Sequence, residues 1–163
     1  MILDNALFLS GAVSATGVLT GQLVTSNSTL STNTMDLGPL SLGGNQVGDL
    51  GGGESLEIAI GILAAPTAAT TVQFQLIQAD DAALTSNVQV INQTDAFPIA
   101  SLPVGTLVPL HVDRAAPYAP KRYIGVRYIG TGTAIATLSV TAAVVKNVQD
   151  LKNMYFKSGY SIT

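Results

Sequence analysis

The sequence predicts an all-β protein, a single-domain β-sandwich of jelly-roll or Greek-key type with an extended N-terminal arm and a C-terminal tail. Apolar residues alternate with polar or small ones at a period of two in four separate stretches. Gly- and Pro-rich punctuation separates these stretches, and no helix pattern alternates with them. At 163 residues the chain suits one core, because domains most often hold about 100–150 residues.

Residues 1–55 are rich in Gly, Ser, Thr and Asn, with short apolar pairs such as Leu23-Val24. They read as an arm, loops and one or two short strands. Gly43-Gly44, Gly48 and Gly51-Gly52-Gly53 favour turns and announce a strand just after them.

Residues 56–146 read as the core of the sandwich. Leu56, Ile58, Ile60 and Ile62 share one face of the strand Leu56–Leu63. After the break Ala64-Ala65-Pro66-Thr67, the stretch Thr71–Gln78 turns Val72, Phe74 and Leu76 inward, and the two segments are expected to pair antiparallel. Asp80-Asp81 ends that pattern and Val88–Ile91 resumes it. From Ala96 to Pro109 the β-like pieces are cut by Pro98, Pro103 and Pro109, which suits edge strands and connections.

Arg114–Lys121, with two prolines, reads as a loop. Arg122–Ile129 then places Ile124, Val126 and Tyr128 on one face, and Gly130-Thr131-Gly132 reads as a tight turn. Ala134–Val145 follows, with Ala136, Leu138, Val140, Ala142 and Val144 on one face, so the two stretches are expected to form a hairpin. Residues 147–163 change character. Lys152, Tyr155, Phe156, Lys157 and Tyr160 suit a docking segment whose aromatic anchors bind another surface, and equally a tail folded back on its own sandwich.

Composition narrows the function. Hydrophobic residues make up 47% of the chain and charged residues 10%, against roughly 25% charged in an ordinary soluble domain. A surface so poor in charge suggests coverage by partners. Residues 1–113 hold nine acids and no Lys or Arg, whereas residues 114–163 hold seven bases and Asp150. That split favours head-to-tail contacts or docking on a charged shell, unless folding mixes the two halves. No apolar run reaches the ~20 residues of a membrane span, and the first residues lack the basic start of a secretory signal.

Little here points to catalysis. There is no Cys, and His111 is the single histidine, in an alternating β-like stretch that gives it a structural reading. No Gly-x-Ser-x-Gly elbow accompanies it. Asp80-Asp81 lacks the spaced oxygen ligands of a calcium loop, and Gly51-Gly52-Gly53-Glu54-Ser55 leads into a strand without the Lys of a phosphate cradle. No enzyme activity, metal or cofactor is expected. The bases Arg114, Lys121, Arg122 and Arg127, with Tyr123 and Tyr128 among them, fit contact with an acidic protein neighbour better than nucleic acid, given a pI near 4.7. Together with Lys152, Tyr155, Phe156, Lys157 and Tyr160 they are the candidate partner or oligomer interface. Asn27-Ser28-Thr29 and Asn92-Gln93-Thr94 match the N-glycosylation pattern but carry little weight without a signal.

Three stretches carry a resemblance: Met1-Ile2-Leu3-Asp4, Ser31–Gly38 (STNTMDLG) and Lys121–Tyr128 (KRYIGVRY) leading into the last strand. In order and spacing they resemble the tailed-phage capsid cement proteins of the Bordetella-phage, Bbp16-like type. The resemblance implies a jelly-roll domain on the outer surface of an icosahedral head, made in the bacterial cytoplasm. It further implies a homodimer or homotrimer that bridges major capsid protein subunits. The stretch Gly17–Leu30 and the tail look longer than that family's pattern. The competing expectation is a carbohydrate-binding adhesion module that uses the polar surface to contact host glycans, although a chain with no Trp offers few stacking platforms.

Overall fold

The computed structural model describes residues 7–38, 56–112 and 121–146. The long strands are β7 (Glu57–Ala64), β8 (Thr67–Ala79), β12 (Tyr123–Ala136) and β13 (Leu138–Val145). Two to five residues suffice for β1 (Phe8–Ser10), β2 (Ala12–Val13), β3 (Leu19–Thr20), β4 (Gln22–Val24), β5 (Ser28–Leu30) and β6 (Met35–Asp36), and likewise for β9 (Gln89–Gln93), β10 (Phe97–Pro98) and β11 (Leu107–His111).

Two antiparallel sheets face each other. In the first, β13 and β7 are central, β11 flanks β7, and β1 and β4 pair with different parts of β13. In the second, β8 and β12 are central, with β9 and β10 along β8 and β5 and β6 along β12. The alternation read from the sequence sets which side chains meet between them: Ile58, Ile60, Ile62, Val72, Phe74, Leu76, Ile124, Val126, Tyr128, Leu138, Val140 and Val144 form one buried cluster. The Tyr128 ring meets Phe74 edge-on at 6.0 Å, and its hydroxyl donates to Ser10 Oγ at 2.7 Å across the sandwich. Burial drives the Tyr128 hydroxyl pKa far above its ordinary value.

The sheets are two halves of one folded ribbon. Four connections cross between them at the same end: β4 to β5, β7 to β8, β10 to β11 and β12 to β13. The register survives the bend. Thr131 lies opposite Thr71, and nine residues onward and nine back, Val140 lies opposite Ile62. This is the wrapping expected of a jelly roll.

Two pairings inferred from sequence are therefore corrected. β7 and β8 do not pair; they lie in opposite sheets and face one another across the core. Nor do β12 and β13 form a hairpin. Gly130-Thr131-Gly132 stays inside β12, opposite Val72, Thr71 and Ala69, and the positive φ of Gly132 (78°) is taken up as a bulge. The bend comes at Thr137, at φ 59°, whose hydroxyl donates to the Ala65 carbonyl at 3.0 Å and meets the Thr67 hydroxyl at 3.0 Å. A bend there changes the phase of alternation, so Ile135 and Leu138 both enter the core.

The reading of residues 1–55 as arm and loops also changes where they are described. Between Phe8 and Asp36 there are six short strands, four of which pair with β12 or β13. Leu9 and Val24 reach the main core. Two- and three-residue strands are too short to show a period, which is why sequence alternation misses them. Residues 1–6, 39–55, 113–120 and the tail 147–163 lie outside the described residues.

Candidate functional site

The strands sort the chemistry of the chain to one end. At the end opposite the sheet crossings, β6, β7, β8, β11, β12 and β13 bring in Asp36, Glu57, Asp80, Asp81, His111, Lys121, Arg122 and Lys146. Arg122 grips Asp36 with two bonds, Nε to Oδ1 at 2.7 Å and Nη2 to Oδ2 at 2.8 Å, and lies 5.1 Å from the centre of the Tyr123 ring. This pair pins β6 to the start of β12. The Arg122 bond, helped by the Gly38 amide, lowers the Asp36 pKa to about 2, and the same bond raises that of Arg122.

Lys121 Nζ meets Asp80 Oδ1 at 3.0 Å, while Asn87 donates to Asp80 Oδ2 at 2.6 Å. The bonds from Asn87 and Lys121 hold the Asp80 pKa below its ordinary value. Asp81 accepts from the Thr85 and Ser86 amides, each at 2.8 Å, and from the Thr85 hydroxyl at 2.7 Å, and these bonds lower its pKa too. The two carboxylates thus fold the 80–88 loop back over the second sheet. Leu84, at φ 56° and 3% exposed, seats against Gly125, where a Cβ would collide with it. These bonds give Asp80-Asp81 a structural task. His111 Nδ1 lies 3.3 Å from Glu57 Oε1 on the exposed edge of the first sheet.

Of the candidate interface residues, Lys121, Arg122 and Arg127 all lie on or beside the first half of β12, but each is engaged within the molecule. Arg127 donates from Nε to Gln75 Oε1 at 2.8 Å, and Gln75 in turn donates to Gln93 Oε1 at 2.8 Å. The acid-rich and base-rich parts of the chain are mixed here: bases from the second part meet Asp36 and Asp80 from the first. Arg114, Lys152, Tyr155, Phe156, Lys157 and Tyr160 lie outside the described residues. The acids that pair with the bases sit 41 and 86 positions away, at Asp80 and Asp36, so no local motif announces them.

The crossing end is the reverse. Residues 11–29, 61–72, 97–107 and 129–141 contain no Asp, Glu, Lys, Arg or His. Their strand ends and connections build that end and the β2–β3 hairpin beside it. Hydroxyl pairs stand on it, Thr71 with Thr131 at 2.6 Å and Thr67 with Thr137 at 3.0 Å. A shallow apolar hollow of about 200 Å³ is lined by Ile62, Leu63, Val104 and Leu107. Val18, Leu23 and Val104, each more than half exposed, all belong to these uncharged segments. Sequence reasoning missed this end, though the charge-free runs are visible in the sequence and needed only the strand register to bring them together.

Residues 18–145, which span β3 to β13, match the Bbp16 protein family. The chain belongs to the Bbp16 family. Membership makes it a phage-associated protein. No curated protein matches the chain. In this Bbp16 protein the matched region takes in both sheets and both ends of the sandwich, so the family likeness rests on the folded body and leaves out the tail.

Proposed function

We propose that this Bbp16-family protein is a structural capsid cement protein. It binds the outer surface of a phage head, bridges major capsid protein subunits and stabilises the shell without chemistry of its own. The observation that carries the reading is the family match over residues 18–145, which takes in the central strands of both sheets. Supporting it are the low charge of the surface and the engagement of Asp36, Asp80, Asp81, Arg122 and Arg127 in holding strands and loops together.

Cementing asks for a stiff body that buries surface at many equivalent joints. A ribbon that recovers its register beyond the bulges at the bend gives such stiffness. If each joint buried about 1,500 Å², repetition around a shell would resist rupture even at modest affinity per site.

The test is quantitative mass spectrometry of purified virions, followed by heating of heads with and without the protein. A fixed ratio to the major capsid protein, with undecorated heads bursting at lower temperature, is the expected result. Absence from virions overturns the reading, and saturable binding on a glycan array would then favour an adhesion role.

A further inference from the structure

We propose that the outer face of the second sheet is the docking surface for the major capsid protein, and that the Arg127 guanidinium on it takes a carboxylate side chain of that partner. The inference rests on the cement reading and adds to it the face and the contact.

On β12, Val126 and Tyr128 enter the core, which turns Arg127 to the outer face. There it stands in a row that crosses the sheet: Gln93 on β9, Gln75 on β8, Arg127 on β12 and Leu30 on β5. Toward the crossing end, the next row holds Gln73, Ile129 and Ser28. On the other side Leu84 packs over Ile77 and against Gly125, and forms a wall. Arg127 is the one charged side chain in these rows, at the foot of that wall.

Arginine carries only donors, so the buried Gln75 turns its oxygen to Arg127 Nε, at 2.8 Å. The Gln75 nitrogen then faces Gln93 Oε1, at 2.8 Å, and the Gln93 nitrogen is left to donate. This chain of bonds holds the guanidinium by its Nε edge. Among the described residues neither Nη atom has a partner. Lys121 and Arg122, by contrast, each meet a carboxylate, at Asp80 and Asp36. Asp95, one residue past the Thr94 carbonyl that accepts from Gln73, makes no ion pair with Arg127.

A guanidinium held in this way presents its two Nη groups as a planar fork, the shape that grips a carboxylate with paired bonds. Because Gln75 already orders the side chain, little rotamer freedom is lost on contact. An arginine closed off from water inside an interface is among the residues that carry most of the binding energy. A nucleic acid would ask for several cations along the face, and these rows offer one. A protein surface that covers Gln73, Ile129 and Leu30 with neutral side chains, and meets Arg127 with one Asp or Glu, is complementary to what is there.

Cosedimentation of the full-length protein with undecorated heads of its own phage, at low and at high NaCl, tests this. Arg127→Gln should bind at least about tenfold more weakly than wild type and with a shallower dependence on salt. Arg127→Lys, which keeps the charge and loses the fork, should fall between the two. Val104→Ser, an exposed change beside the first sheet, should bind as wild type does. Equal binding by wild type and Arg127→Gln overturns the inference and leaves the cement reading standing, whereas a wild type that does not bind heads overturns both. Should Arg127→Gln lose its β circular dichroism, phenylglyoxal labelling of the wild type decides. Arg127 that reacts in the free protein and is protected on decorated heads supports the contact. Protection already complete in the free protein, by an acid of the same chain, or none gained on heads, sinks it.

Discussion

At the crossing end, four connections carry the ribbon between sheets, and what holds them is backbone register, apolar packing and hydroxyl bonds. At the other end the fastenings are ionic: Arg122 on Asp36, Lys121 on Asp80, and backbone amides on Asp81. The difference teaches where each kind of force pays. Buried, close-packed contacts do not depend on charge, whereas exposed ion pairs weaken with salt and vanish with acid. The crossing end should therefore answer to side-chain shape, and the ionic end to pH and salt.

The largest effect should come from the core that both ends share. Phe74 is fully buried and touches the Phe97 and Tyr128 rings at 6.3 and 6.0 Å between centroids. Phe74→Ala should destabilise the protein by about 3–5 kcal/mol, because it leaves a cavity between two sheets that cannot close. Urea unfolding followed by circular dichroism would measure it. A loss below about 1 kcal/mol would mean that the sheets can slide together, against the fixed register of the wrapped ribbon.

Next in size is a break at the crossing end. Asn27 accepts from the Ile135 amide at 3.2 Å and donates to the Gly132 carbonyl at 3.2 Å, so one side chain closes the irregular stretch of β12 before the bend. Asn27→Ala should cost about 1–2 kcal/mol by leaving those backbone groups unpaired. Asn27→Asp, which when ionised keeps the acceptor but loses the donor, should cost less at neutral pH than Asn27→Ala does. Equal losses would show that the amide donor carries the site.

How much of this was legible follows from the same contrast. Alternation identified the inward residues of β7, β8, β13 and the first half of β12, because a face buried over seven or more residues leaves a period of two, but it put Ala136 inward where the bend buries Ile135 instead. It gave no means of deciding which strands are neighbours, since a strand that turns into a hairpin and one that crosses to the facing sheet have the same pattern. Gly130-Thr131-Gly132 has the composition of a turn yet runs straight through, while the real bend at Thr137 uses a β-branched residue at positive φ that no turn rule favours. The bases of the candidate site were equally visible, but their partners Asp36, Asp80 and Gln75 come from strands far away in sequence. Asp81 shows the limit from the other direction: the pair of acids marked the end of a strand, but nothing in the sequence said that the Thr85 and Ser86 amides would bond to one of them.

The ionic end should respond to acid first. Asp36, Asp80 and Asp81 have pKa values depressed in the folded state, so their contribution is present above the unfolded value near 4. It is lost as pH falls through the folded values, which for Asp36 is about 2. As pH falls below the ordinary carboxylate range the Thr85 and Ser86 amide resonances should titrate as Asp81 takes up a proton, while the Ile135 amide, bonded to the uncharged Asn27, should not. If all three move together, acid loosens the whole sandwich and the two ends are not independent.

The smallest effect should be Arg122→Ala, even though its bidentate grip on Asp36 is the best-formed ion pair at that end. Both side chains are nearly half exposed, at 46% and 44%, so water and salt already compete for their charges. At 1 M salt the screening length is about 3 Å, comparable to the pair itself. Melting temperature should fall less for Arg122→Ala than for Asn27→Ala, and 1 M NaCl should remove most of what remains. Asp36→Asn should give a similar change, and the double variant little more than either single one, because both remove the same contact. A salt-resistant loss as large as that of Asn27→Ala would mean that Arg122 acts chiefly through its stem and its contact with the Tyr123 ring. In that case packing, rather than charge, would hold both ends of the molecule.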